Sequence, residues 1–182
     1  MITLKFGGTS MGSARRIIDS AMIMKGRAEK DRISVVVSAV AGVSNKLQES
    51  IDKTTTGSSA YEFCSNLRTI HINICSDLEK ALKGFVKNEV LEVLDPIFEE
   101  YERLLNAVVA FGECPLSVQC RIMGLGERLS SPIVEAVLKA MDQDVCLLDS
   151  RDYIFTTGNQ AEGDPDFTRT MAALAEIRDG KV

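Results

Sequence analysis

Two short apolar runs, ITLKF at positions 2–6 and ISVVV at 33–37, each stop at a cluster of small residues and give way to a helical pattern. Strand, helix, strand in that order leaves few topologies. The crossover is right-handed, and the two strands lie parallel in a sheet covered by helices. The first run is halted by Gly7-Gly8. Glycine loses backbone entropy on folding, so a pair of them marks a sharp turn or a close approach. The second run is almost wholly β-branched, as expected of a strand buried on both faces. It ends in SAVAGVSNKL, another small-residue turn that leads into a helix from about Asn45 to Lys53.

Between the runs, Ser13 is a helix N-cap and the helix continues to about Lys30, with Ile17, Ile18, Ala21, Met22 and Met24 as its apolar face. TTTGSS at 54–59 is a loop by composition. Positions 61–111 carry helical signals, with Asp95-Pro96 reading as an N-cap and a first-turn proline. A further helical region spans Leu116 to Met141 with an interruption around Gly124–Glu127, and DVCLLD at 144–149 is a third strand candidate. Asp164-Pro165-Asp166 reads as a loop before a helix that starts at Phe167, and Gly180-Lys181-Val182 reads as the approach to another strand. The fold class is α/β.

Composition narrows the function classes. Of 182 residues, 45% are hydrophobic and 26% charged, the balance of a globular domain. No apolar run approaches the roughly 20 residues of a membrane span, and the N-terminus lacks a secretory h-region. The net charge of −5 comes without a positive stripe, which argues against nucleic acid as a partner. Five cysteines without a CxxC pair, and a single histidine, are poor material for a zinc site or a disulfide framework. They read as mostly buried thiols in a reducing, cytoplasmic setting. His71 reads as a packed or surface histidine, Glu99-Glu100-Glu102 as a solvated helix face, and Cys114 as a thiol without a base.

Open α/β sheets bind ligands beyond the carboxyl ends of their strands. Amides freed by Gly7 and Gly8 and by the helix start that follows can hold phosphate oxygens, and Lys5 adds a point charge there. The stretch is not a P-loop, and Thr9 stands where a dinucleotide fingerprint needs its second glycine. By itself the turn reads equally well as a tight connection beside a solvated lysine.

Three motifs in one order remove that ambiguity: KFGGTS at 5–10, VVVSAVAGVSNKL at 35–47 and GLGERLSS at 124–131. Together they resemble the aspartokinases of the amino-acid kinase family, and LLDSRDYIFTTGNQAEGDPD at 147–166 resembles a later segment of the same domain. Positions 61–111 and FGECPLSVQCRIMGLGE look most like the kinase portion of bifunctional aspartokinase–homoserine dehydrogenases. The resemblance implies a three-layer α/β/α sandwich with a mainly parallel sheet, as in carbamate kinases. It implies that residues 1–182 form the N-terminal, aspartate-binding lobe, ending before the nucleotide-binding half, and that such a piece alone is inactive.

Residue by residue, the resemblance places Lys5 against the transferring phosphoryl group and gives Gly7, Gly8, Thr9 and Ser10 to the ATP phosphates. Ser38 lines the acceptor side, and Ser44 stands where the family usually has a threonine that contacts aspartate. Glu127 pairs with the α-ammonium of aspartate. The implied substrates are L-aspartate and Mg-ATP, with no tightly bound protein metal, in the first step of a pathway to lysine, threonine and methionine. A homo-oligomer is expected, and neither membrane nor nucleic acid is. A carboxylate acceptor is already a nucleophile at neutral pH, so a site of lysine, glycines and hydroxyls without a His/Asp pair suits phosphoryl transfer. Two other readings stay open: a related amino-acid kinase with another acceptor, and a catalytically dead paralogue that binds a small ligand.

Overall fold

Ile2–Phe6 forms β1 and Ile33–Val37 forms β2, and the two pair in parallel from Ile2 opposite Ile33 to Phe6 opposite Val37. The computed structural model describes residues 1–158 and 162–178 and divides into two units, Met1–Cys146 and Leu147–Val182. The strand start expected at Gly180–Val182 lies outside the described residues.

In the first unit, α1 (Ala14–Ala28) makes the crossover between the strands. Ser13 caps it, its hydroxyl accepting from the Arg16 N–H at 3.3 Å. Ile17, Ala21 and Met24 are buried, whereas Met22 faces solvent. After β2 come α2 (Val43–Thr54), α3 (Ala60–Ala81), α4 (Lys87–Phe111), α5 (Leu116–Met123) and α6 (Leu125–Ala140). Helix α4 is the hub, packing against α2, α3, α5 and α6, while α1 and α6 both touch β2. The core follows that hub: Leu94, Tyr101, Leu105 and Val108 of α4 meet Leu47 of α2, Leu67 and Leu78 of α3, and Leu129 and Ile133 of α6.

Several expectations need correction. Pro96 does not begin a helix, because α4 starts nine residues earlier at Lys87 and runs through it. Val90 and Leu94 lie on the same buried face as Ile97, Phe98 and Tyr101, and burial of that continuous stripe outweighs the hydrogen bond that proline removes. The run at 144–149 forms no strand. Val145 packs on the core, but Leu147 and Leu148 are exposed, so the run lacks the burial that its apolar composition suggests for a sheet interior.

Accordingly the described residues do not build a three-layer sandwich: the parallel sheet has two strands. Helices cover one of its faces. On the other, Thr3 and Lys5 are exposed and Val36 is 48% exposed, so β2 is not buried on both sides. Of the cysteines only Cys75 is fully buried, and Cys146 is exposed.

The second unit contains the single-turn α7 (Ser150–Tyr153), a short antiparallel pairing of β3 (Thr156–Thr157) with β4 (Asp164–Pro165), and α8 (Phe167–Arg178). It closes on local contacts. The Arg169 guanidinium lies 4.2 Å from the Phe155 ring centre, and the Phe155 N–H donates to the Thr170 hydroxyl at 3.0 Å. Among the described residues no helix is long and apolar enough to cross a membrane.

Candidate functional site

The parallel register fixes where the first motif meets the second. Lys5 lies opposite Val36, and one ladder bond continues past the end of β2, from the Ser38 N–H to the Phe6 carbonyl at 3.0 Å. Lys5 and Ser38 therefore sit at the same, carboxyl edge of the sheet. The Lys5 side chain is exposed and, among the described residues, makes no ion pair.

Beyond β1 the chain tightens at once. Gly8–Met11 is a single 3₁₀ turn, closed by the Ser10 N–H donating to the Gly7 carbonyl at 2.9 Å. Its glycine is needed for proximity: a Cβ on Gly8 would lie 3.3 Å from the Ala39 carbonyl oxygen and 3.7 Å from the Ala41 Cα. The two strand-end turns are thus packed together. Thr9 is exposed on this loop and Ser10 half-buried, its carbonyl reached by the Ser20 hydroxyl of α1 at 3.4 Å. Beyond Ala39 and Val40, both buried, Gly42 takes a left-handed φ of 79° to start α2, and Ser44 is exposed in its first turn.

The third motif arrives from a distant part of the chain. Gly126, in the first turn of α6, sits so close that a Cβ there would be 2.7 Å from the Ala39 Cβ. Next to it, the Glu127 carboxylate accepts the Ala39 N–H at 3.3 Å through Oε1. One turn further, the buried Ser130 donates its hydroxyl to the Ser38 carbonyl at 2.8 Å, with the Glu127 carbonyl a second acceptor at 3.1 Å. Lys5, the Gly7–Ser10 turn, Ser38 and Glu127 are hence brought together by three elements. Ser44 stands on the adjoining turn of α2.

Charge around Glu127 is kept apart from its neighbour. Arg128 is engaged by Glu100 of α4 at 2.7 Å, and Arg121 of α5 takes the other Glu100 oxygen at 2.7 Å. Burial pushes the Glu100 carboxyl up, but the hydrogen bonds and charges of the two arginines outweigh it and hold the group below its ordinary value. Glu99 and Glu102 are exposed, as a solvated helix face requires, and the reading is corrected at Glu100 alone, whose side chain is only 14% exposed. The tie between Glu100 and the GLGERLSS motif spans α4, α5 and α6, and nothing in local sequence announces it. The role of Ser130 had a signal: it follows Glu127 by three residues, which puts both on one helix face.

Other candidates resolve as packing. His71 is fully buried on α3, with Nδ1 2.8 Å from the Leu67 carbonyl and its ring edge-on to Phe98. Burial lowers its pKa below 6.5. Burial likewise pushes the thiols of Cys64 and Cys75 up to about 11, away from thiolate chemistry. A groove of about 460 Å³ between α1 and α3, lined by Ala14, Ile18 and Ala81, includes no residue of the sheet edge.

No family model matches the chain. The bifunctional aspartokinase/homoserine dehydrogenase of Buchnera aphidicola is 25% identical over 148 residues, 81% of this chain and 18% of that protein. An aspartokinase of Chlamydia pneumoniae is 30% identical over 166 residues, covering 91% of this chain and 33% of its own length. The crystal structure of E. coli aspartokinase III in complex with aspartate and ADP matches 96% of this chain and 37% of its own at 22% identity, with a TM-score of 0.79, a likeness of fold. The chain spans a third or less of the length of these two curated relatives.

Proposed function

We infer that this chain, homologous over most of its length to aspartokinases, carries the acceptor side of an aspartate kinase that moves the γ-phosphoryl group of ATP to the β-carboxylate of L-aspartate. The observation that carries the reading is the meeting of Lys5, the Gly7–Ser10 turn, Ser38 and Glu127 at one sheet edge. Residues 1–182 form the aspartate-binding lobe on this reading, and the rest of the nucleotide site comes from sequence outside them. The reaction opens the aspartate-derived route to lysine, threonine and methionine.

A β-carboxylate oxygen of aspartate bonds to the γ-phosphorus while the bond from that phosphorus to the β,γ-bridging oxygen breaks. An acyl phosphate and ADP result. The nucleophile is already ionised, so the protein supplies position and charge rather than a base. Lys5 neutralises the phosphoryl oxygens as charge redistributes, and the Gly7 and Gly8 amides, with Thr9 and Ser10, hold the nucleotide phosphates. Ser38 and Ser44 offer hydroxyls to the acceptor. Glu127 receives the α-ammonium; its bond from Ala39 comes from a neutral donor, and Arg128 is occupied by Glu100, so its charge stays available. Mg²⁺ enters as part of the substrate Mg-ATP.

ADP release by the whole protein that contains this sequence tests the reading. L-Aspartate should raise it well above the ATP-only background. No stimulation by aspartate defeats the proposal, and stimulation by glutamate or acetylglutamate instead reassigns the acceptor.

A further inference from the structure

The Ser38 carbonyl and the Ala39 N–H are the two polar ends of a single peptide unit. Both are held by side chains of α6, three residues apart: Ser130 donates to the carbonyl at 2.8 Å and Glu127 Oε1 accepts the N–H at 3.3 Å. Residues at i and i+3 lie on one helix face, so the pair forms a clamp whose jaws are fixed by the helix itself. The glycine before Glu127 lets α6 come close enough, with the virtual Cβ of Gly126 2.7 Å from Ala39. Ser130 is 1% exposed, and its hydroxyl is the jaw that solvent does not reach.

We propose that Ser130 is a positioning residue for the acceptor site, acting through the Ser38–Ala39 peptide to set both the Ser38 side chain and the Glu127 carboxylate. The proposal rests on the aspartate kinase reading for what the site binds, but not for the clamp. Its physical content is orientation. A peptide gripped at one end can rotate about its chain axis; gripped at both, it cannot. With the plane fixed, the Ala39 N–H points steadily at Glu127 Oε1 and turns Oε2 toward a ligand ammonium. Ser38 is fixed from its other side by the ladder bond from its N–H to the Phe6 carbonyl at 3.0 Å, so the backbone that carries its hydroxyl has little freedom left. Removing the Ser130 hydroxyl leaves the Ser38 carbonyl without its buried donor and frees the peptide to tilt. An ammonium site that must first be ordered binds more weakly than one already formed.

Two measurements on the whole protein test this, with Ser131→Ala as control, since the Ser131 hydroxyl reaches only the Glu127 carbonyl at 2.9 Å. The first needs no substrate. Hydrogen exchange at the Ala39 amide should accelerate roughly fivefold to tenfold in Ser130→Ala, the equivalent of one lost hydrogen bond, and not in Ser131→Ala. Unchanged exchange in Ser130→Ala overturns the clamp. The second is steady-state kinetics with aspartate and Mg-ATP. Ser130→Ala should raise the KM for aspartate by roughly the same factor, with the KM for ATP unmoved and kcat lowered less. Equal rises in both KM values, or none, overturn the positioning role even if exchange accelerates. A wild type that does not turn over aspartate defeats the functional reading, and the exchange result still decides the clamp.

Discussion

Lys5 and Glu127 bring opposite charges to one sheet edge, and their loss should be felt in different constants. Lys5 matters most when charge redistributes on the transferring group, so Lys5→Ala should lower kcat by about 10²–10³ with little change in the KM for aspartate. Glu127→Gln removes the charge that holds the acceptor ammonium, so the KM for aspartate should rise while that for ATP barely moves. Ser44→Ala should fall between them, one hydroxyl being worth roughly 1 kcal/mol. Varying each substrate in turn for the three variants checks this; a Lys5→Ala enzyme with unaltered kcat would mean that the KFGGTS turn is structural only. Two glycines supply a sharper contrast in stability. Gly26 is exposed inside α1 with nothing within 4 Å of a virtual Cβ, so Gly26→Ala should stabilise by about 0.5–1 kcal/mol through backbone entropy. Gly126 has the same propensity argument and the opposite sign. Its Cβ would meet that of Ala39 at 2.7 Å, neither atom can move without its backbone, and overpacking of this kind costs about 1–3 kcal/mol. Urea unfolding of both variants should show the midpoint rising for one and falling for the other.

At the scale of elements, what could be read from sequence was whatever depends on neighbours along the chain. Ser13 caps α1, α8 begins at Phe167, and β1 and β2 pair where their apolar runs lie. The meeting of KFGGTS with SAVAGVSN was legible too, because a parallel β-α-β unit places both turns at one edge. What sequence could not supply was partnership at a distance. Asp95-Pro96 has the chemistry of a helix start, yet Asp95 is taken by Arg68 of α3 at 2.7 Å and α4 runs on. The 144–149 run has strand composition and no ladder. The α3–α4 pair also buries His71, whose Nε2 has no hydrogen-bond partner among the described residues, and this should make the pair pH-sensitive. The imidazole pKa is lowered in the fold by burial, so below about pH 6.5 the unfolded chain takes up a proton that the folded chain resists. Stability should be level above pH 6.5 and fall below it, by at most about 1.4 kcal/mol per pH unit. Denaturant unfolding of the wild type and His71→Phe between pH 7.5 and 5.5 should show a slope in the first that is absent from the second; parallel curves would place the titration elsewhere.

For the whole molecule the distribution of buried residues matters more than the count of strands. Among the described residues, every member of the hydrophobic core, from Met11 to Leu138, belongs to the unit Met1–Cys146. Among the described residues from Cys146 to Ala175 no side chain is fully buried. Apolar burial is the dominant favourable term in folding, so the unit that holds the core holds the stability. The candidate site lies within it as well, since Lys5, Gly7, Gly8, Ser38, Ser44 and Glu127 all precede position 146. The unit Leu147–Val182 closes on contacts of its own, such as Arg169 over Phe155 and the antiparallel pairing of Thr157 with Asp164. Residues 1–146 expressed alone should therefore unfold as cooperatively as the chain 1–182, with a Tm within a few degrees of it, because the hydrophobic core of the described residues lies wholly within them. The Ala39 amide should keep its protection in the shorter chain, as both jaws of the clamp are present. Calorimetry and amide exchange on the two chains decide the matter. A broad, non-cooperative transition for residues 1–146 would show that the first unit does not hold the stability by itself.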